Sequence, residues 1–72
     1  MLSLSGNSDM TNNNFSIDNS VGPLRVLDLT FTALTDFSGY TLNKLQELML
    51  NNTNVASFTN NTFPALTYLD IS

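Results

Sequence analysis

The stretch Leu24-Arg25-Val26-Leu27-Asp28-Leu29 returns twice at a constant interval, as Leu45-Gln46-Glu47-Leu48-Met49-Leu50 and Leu66-Thr67-Tyr68-Leu69-Asp70-Ile71. The last two apolar residues of each copy are separated by one other residue, so they point to one side of a short extended strand. A fixed period in the range of roughly 20 to 29 residues is typical of stacked supersecondary units. The pattern therefore predicts parallel strands lying side by side.

The segments between these strands repeat as well. Thr32 and Thr53 follow the last strand leucine by three residues, and further apolar positions recur in order: Leu34, Phe37 and Leu42, then Val55, Phe58 and Phe63. We expect Phe37, Leu42, Phe58 and Phe63 to fill the core from the side opposite the strands. A crossover this short cannot hold a long helix, so extended chain, turns or a single 3₁₀ turn are expected.

A less regular copy comes first in the chain. Leu2 and Leu4 fit the strand positions, but the interval from Leu2 to Leu27 is longer than the interval from Leu27 to Leu48. The surplus lies mainly in Thr11-Asn12-Asn13-Asn14, which is predicted to be a bulged, mobile polar loop. We expect a single array over residues 1–72 that is part of a longer one. The predicted units are a degenerate one at 1–20, regular ones at 21–44 and 45–65, and the start of another at 66–72. Val21 occupies the position in its unit that Leu42 occupies in the next.

These residues resemble the leucine-rich repeat family, in a short form, whose units share the L-x-x-L-x-L core followed by Asn or Cys. Asn7 occupies that last position here, and Thr32 and Thr53 replace it. In the family this side chain bonds backbone groups in the turns of neighbouring units. The resemblance implies an α/β-type but mostly β solenoid, a right-handed superhelix with a parallel concave sheet and short irregular or 3₁₀ convex segments. The Ser, Thr and Asn content is similar to that of bacterial and protist surface arrays.

The residues that alternate with the core positions define a second surface, here called the strand face. It comprises Val26, Asp28, Thr30, Phe31, Glu47, Met49, Asn51, Tyr68 and Asp70. Acids beside aromatic residues and Met suit a protein partner with basic or amphipathic contacts. The alternatives are an ordinary solvated sheet surface and carbohydrate binding through Tyr68 and Phe31. The resemblance implies that the strand face is concave and does the binding.

The amino-acid composition of the chain limits the kinds of partner and active site that it can have. The net charge is −4, with six acids against Arg25 and Lys44, so no basic patch favours nucleic acid or anionic membranes. Without His or Cys, most zinc, haem and thiol chemistry and the Ser-His-Asp arrangement are excluded. Asp28 and Asp70 are expected about 10 Å apart, too far to share a calcium ion. We predict no enzymatic activity, no cofactor, no metal and no direct membrane insertion.

The predicted function is a non-catalytic protein–protein interaction module. The alternatives are a structural spacer in a larger surface, adhesion or receptor protein, and a regulatory array fused to an enzyme elsewhere in the parent chain. Open ends also predict end-to-end self-association. The resemblance favours the cell surface or extracellular space, and the lack of Cys is compatible with the cytoplasm. Sequons at Asn14, Asn51 and Asn60 are no more than chance gives for a chain this rich in Asn, Ser and Thr, so they leave glycosylation open.

Overall fold

A computed structural model of the protein describes residues 1–15, 17 and 23–71. Its regular elements are β1 (Leu2–Ser3), β2 (Val26–Asp28), β3 (Glu47–Met49) and β4 (Tyr68–Asp70). They form one parallel sheet in the order β1-β2-β3-β4. The described residues contain no helix, so the prediction of a β-rich fold with a parallel sheet and short irregular connections is confirmed. Val21 and the predicted unit boundary at 20/21 lie outside the described residues.

The pairing register of the sheet equals the sequence period. Leu27 pairs with Leu48, and Leu48 pairs with Leu69, which are the equivalent leucines of successive copies. Beyond the strands, the Leu29 amide donates to the Met49 carbonyl at 2.8 Å. The longer first interval brings Leu2 beside Leu27. Because every strand is in the same register, equivalent positions of successive copies stack in rows and share one face.

The connecting segments form a second line of pairing. Parallel bridges join Asp36 to Ser57 and Thr41 to Thr62, again with the same offset as the strands. The Phe37 amide donates to the Ser57 carbonyl at 2.8 Å. Unlike a helix, an extended chain has no hydrogen-bond partners for its backbone within its own segment, and here the adjacent connection supplies some of them. This pairing explains why the connections need no helix.

The core contains side chains from the strands and from the connections. Its central members are fully buried, at 0% exposure: Leu27, Leu29, Leu34, Phe37, Leu45, Leu48 and Leu50. Leu69 and Ile71, which occupy the same positions in β4 and just after it, are each 42% exposed. The core is therefore closed around the leucines of β2 and β3 and open at β4.

An aromatic cluster occupies the connection side of the core. The buried Phe37 ring stacks on Phe58, with ring centroids 5.9 Å apart, and lies 6.4 Å from Phe15. Tyr40 approaches it to 4.4 Å and Phe63 to 6.2 Å. Phe58 and Phe63 are half-buried against the core. The prediction that Phe37, Phe58 and Phe63 fill the core from this side is confirmed.

One side-chain hydrogen bond recurs after three of the strands. In each case the side chain donates to the carbonyl oxygen of the residue three places earlier, at 2.7 Å for Asn7, 2.9 Å for Thr32 and 2.6 Å for Thr53. The expected bonds to neighbouring units are replaced by bonds within the same unit. A hydroxyl reaches this near carbonyl as well as a carboxamide does, which accounts for Thr at two of the three positions.

Candidate functional site

Two rows of side chains cover the side of the sheet that faces away from the core. In β2 and β3 the central leucine is fully buried and the residues on either side of it are half-buried. The register aligns these flanking residues with those of β4. The rows are Val26, Glu47 and Tyr68, and Asp28, Met49 and Asp70. The structure thus brings six of the nine strand-face residues together.

The other three strand-face residues lie where the strands turn. The Thr30 hydroxyl donates to the side-chain oxygen of Asn51 at 3.0 Å, and the Phe31 amide donates to the Asn51 carbonyl at 3.2 Å. Thr30 and Asn51 are therefore joined by a bond between equivalent positions of successive copies. Phe31 lies at the end of this row and projects into solvent, with 56% of its surface exposed.

The exposed apolar surface of the strand face is concentrated at two corners. Tyr68 begins β4 and is 48% exposed, whereas Phe31 follows β2 and is 56% exposed. β3 lies between these two strands, so the rings occupy diagonally opposite corners with Glu47 and Met49 between them. Separated aromatic corners with a half-buried centre suit an extended contact better than a single enclosed ligand.

The charge of the strand face is entirely negative. Its charged members are Asp28, Glu47 and Asp70, and it includes no base. The hydroxyl of Thr30, followed by its amide at 3.0 Å, lowers the pKa of the Asp28 carboxyl below its ordinary value. Asp28 is therefore ionised throughout the neutral range. The Thr30 hydroxyl has one proton, so its bond to Asn51 competes with its bond to Asp28.

A periodic backbone feature beside the strand face was not anticipated from the sequence. Among the described residues, φ is positive at five positions, three of which lie three residues after the end of a strand and two of which lie two residues after a core phenylalanine. They are Gly6, Phe31, Asn52, Gly39 and Asn60. Gly and Asn adopt this left-handed conformation readily, whereas another residue is destabilised there by roughly 1–2 kcal/mol. Phe31 is thus the exception. The Gly and Asn spacing was a readable signal for the other four positions.

A hollow of about 450 Å³ opens in the segment that follows β1. It is lined by Leu4, Gly6, Asn7, Ser8, Asp9, Met10 and Asn14. Asp9 is the one ionisable side chain in this lining, so the hollow offers no pair of groups for acid–base chemistry.

Residues 1–15, 17 and 23–71 contain neither a cluster of metal-ligating side chains nor a membrane-spanning helix. No group of three or more His, Cys, Asp or Glu side chains lies close enough there to hold a metal ion. Within the same residues, no helix is long and apolar enough to cross a bilayer.

No protein-family model matches the chain, no curated protein matches it in sequence, and no solved structure matches it.

Proposed function

We propose that the chain is a non-catalytic protein-interaction module of the leucine-rich repeat type, a right-handed superhelix whose strand face is concave and binds a protein partner. The in-register pairing of β2, β3 and β4 carries this proposal. Because the register equals the repeat period, outward side chains from three successive copies form one continuous surface. A surface built this way can be contacted by a partner across several strands at once.

The backbone behind the strand face supports a rigid binding surface. Leu29 and Leu50 donate to carbonyls of the next copy at 2.8 and 2.7 Å, so the ladder continues past the strands. The side chains of Leu27 and Leu48 anchor the strands in the core with no exposed surface. A surface held in place before binding loses little conformational freedom when it binds, which favours affinity.

The open shape of the strand face favours binding over catalysis. General acid–base chemistry is most effective where a cleft removes water from the reacting groups. Asp28, Glu47 and Asp70 instead lie on the outer side of a sheet. Half-buried Met49 and the exposed Phe31 and Tyr68 are the residue types that protein interfaces enrich.

The test is site-specific photocrosslinking in cells that express the chain. A photoreactive amino acid replaces Met49 at the centre of the strand face, and in a matched control it replaces exposed Thr41 on a connecting segment. The proposal expects a cross-linked protein from position 49 and none from position 41. Adding Tyr68→Ala or Asp28→Lys should reduce the position-49 product. Equal products from both positions would contradict the proposal, and no product from either would favour a structural spacer.

A further inference from the structure

Phe31 stabilises neither the backbone conformation at its position nor the hydrophobic core. The equivalent residues of the neighbouring copies are Gly6 and Asn52, which tolerate a left-handed backbone, whereas Phe31 adopts φ 59° with a bulky side chain. Its ring is 56% exposed and belongs neither to the core cluster nor to the ring contacts found among the described residues. An aromatic residue that is both strained and exposed at a surface indicates a ligand that contacts it.

The acid closest to Phe31 in sequence is Asp28, which ends β2 three residues before it. Asp28 accepts a hydrogen bond from the Thr30 amide at 3.0 Å. This bond closes a tight turn in the backbone that connects the Asp28 carboxylate with the Phe31 ring. The Phe31 amide is in turn held by the Asn51 carbonyl at 3.2 Å. An exposed ring and an ionised carboxylate are therefore presented by one short, hydrogen-bonded segment at the edge of the strand face.

A planar cation matches this pair of groups better than a spherical one. A guanidinium stacks on an aromatic face and forms two parallel hydrogen bonds to a carboxylate, whereas an ammonium does neither. The strand face contains three acids and no base, so its field also attracts a cationic segment.

We propose that Phe31 and Asp28 form a subsite for an arginine side chain of the protein partner, with the guanidinium stacked on the Phe31 ring and paired with the Asp28 carboxylate. This inference rests on the proposed function and specifies the chemistry of its partner. The occupant is an exposed, arginine-bearing protein segment that crosses the strand face from the Phe31 corner. Glu47 and Asp70 offer further carboxylates along that path.

The test is a nuclear magnetic resonance titration of the isotopically labelled full chain with a synthetic peptide of Gly-Ser-Arg repeats. Matched peptides carry Lys or neutral citrulline in place of Arg. The arginine peptide should shift the amides of Thr30 and Phe31 and of β2 to β4, and it should bind more tightly than the lysine peptide. The citrulline peptide should produce no shifts. Added salt should weaken the binding, because the attraction is between exposed charges.

Four variants separate the subsite from the rest of the strand face. Phe31→Asn should raise the dissociation constant of the arginine peptide about fivefold, the loss expected for an exposed cation–π contact. Asp28→Asn should weaken binding similarly, whereas Phe31→Tyr should bind as the unaltered chain does. Asn52→Gly, at the equivalent position of the next copy, is the matched control and should leave binding unchanged. Because Phe31→Asn relieves backbone strain, its midpoint of urea unfolding should be unchanged or higher, which excludes misfolding as the cause of weaker binding.

Two results would overturn the inference. In the first, the arginine peptide shifts the strand face but binds Phe31→Asn and Asp28→Asn as tightly as the unaltered chain. In the second, the arginine peptide is not preferred, either because no peptide shifts the strand face or because the lysine and arginine peptides bind equally. Neither result contradicts the proposed function, which is contradicted instead by equal photocrosslinking from positions 49 and 41.

Discussion

The side chain of Asn12 holds the backbone of Asp36 by two hydrogen bonds. Its Oδ1 accepts the Asp36 amide proton at 3.1 Å, and its Nδ2 donates to the Asp36 carbonyl at 2.5 Å. The same Oδ1 accepts the amide and the hydroxyl of Thr35 at 2.8 and 3.0 Å. A carboxamide has the donor and acceptor of a peptide group, so Asn12 pairs with one side of this segment as the Ser57 chain pairs with the other.

Replacing Asn12 by Ala should therefore destabilise the fold. The expected loss in the free energy of unfolding is about 1–2 kcal/mol, because several backbone groups lose a partner but remain accessible to water. Asn13→Ala is the matched control, since Asn13 is exposed in the same turn, and it should change stability by less than about 0.5 kcal/mol. Urea unfolding of both variants measures the difference. Equal losses would mean that the Asn12 bonds contribute nothing of their own.

The different burial of Leu48 and Leu69 predicts unequal effects of one substitution at these equivalent positions. Leu48→Ala should lower the free energy of unfolding by about 2–5 kcal/mol, since the side chain is fully buried. Leu69→Ala should cost less than half as much, because Leu69 is already 42% exposed. Chemical unfolding of the two variants tests this. A loss at Leu69 as large as that at Leu48 would contradict the observed burial.

The recurring hydroxyl bond makes a similar comparison possible between two threonines. Thr32 is 4% exposed and its hydroxyl donates to the Leu29 carbonyl at 2.9 Å, so Thr32→Val should cost about 1–2 kcal/mol. Thr53 makes the equivalent bond but is half-buried, so water can replace the lost donor and Thr53→Val should cost less. Thermal and urea unfolding would both report the difference. A larger loss at Thr53 would show that burial does not control the effect.

Tyr40 makes stability sensitive to alkaline pH. Burial, and then the negative charge of Asp36, raise the pKa of the Tyr40 phenol. The folded chain therefore favours the neutral phenol, while the unfolded chain ionises near a pH of about 10. The free energy of unfolding should fall as pH rises above that value. Tyr40→Phe should remove the part of this alkaline destabilisation that Tyr40 causes, whereas the control Tyr68→Phe should retain it. The free energy of unfolding of both variants, measured across alkaline pH, tests this. The same pH dependence in both variants would contradict the assignment to Tyr40.

Much of the sheet could be predicted because the pattern and the structure share one period. Leu27, Leu48 and Leu69 occupy the same place in each copy, and a parallel register equal to the repeat interval sets each one beside the next. Alternation along each strand then decides which side chains face outward. The rows of the strand face follow from these two facts alone.

The polar contacts of the connections could not be predicted in the same way. Asn12 belongs to a run that reads as a loop, and composition does not reveal that its carboxamide meets a backbone segment 24 residues away. Asn61 is a second case: it donates to the Phe37 carbonyl at 2.8 Å and accepts the Tyr40 amide proton at 3.0 Å. The left-handed turn at Phe31 was also missed, since Phe carries no signal for that conformation.

Cross-strand nuclear Overhauser contacts between backbone protons are the most direct measurement of the arrangement on which the strand face depends. In-register parallel strands predict contacts that connect the backbone around Leu27 with that around Leu48, and the latter with that around Leu69. A pairing offset by one residue, or antiparallel contacts, would contradict it. Such a slip would turn Glu47 and Met49 into the core and remove the strand face.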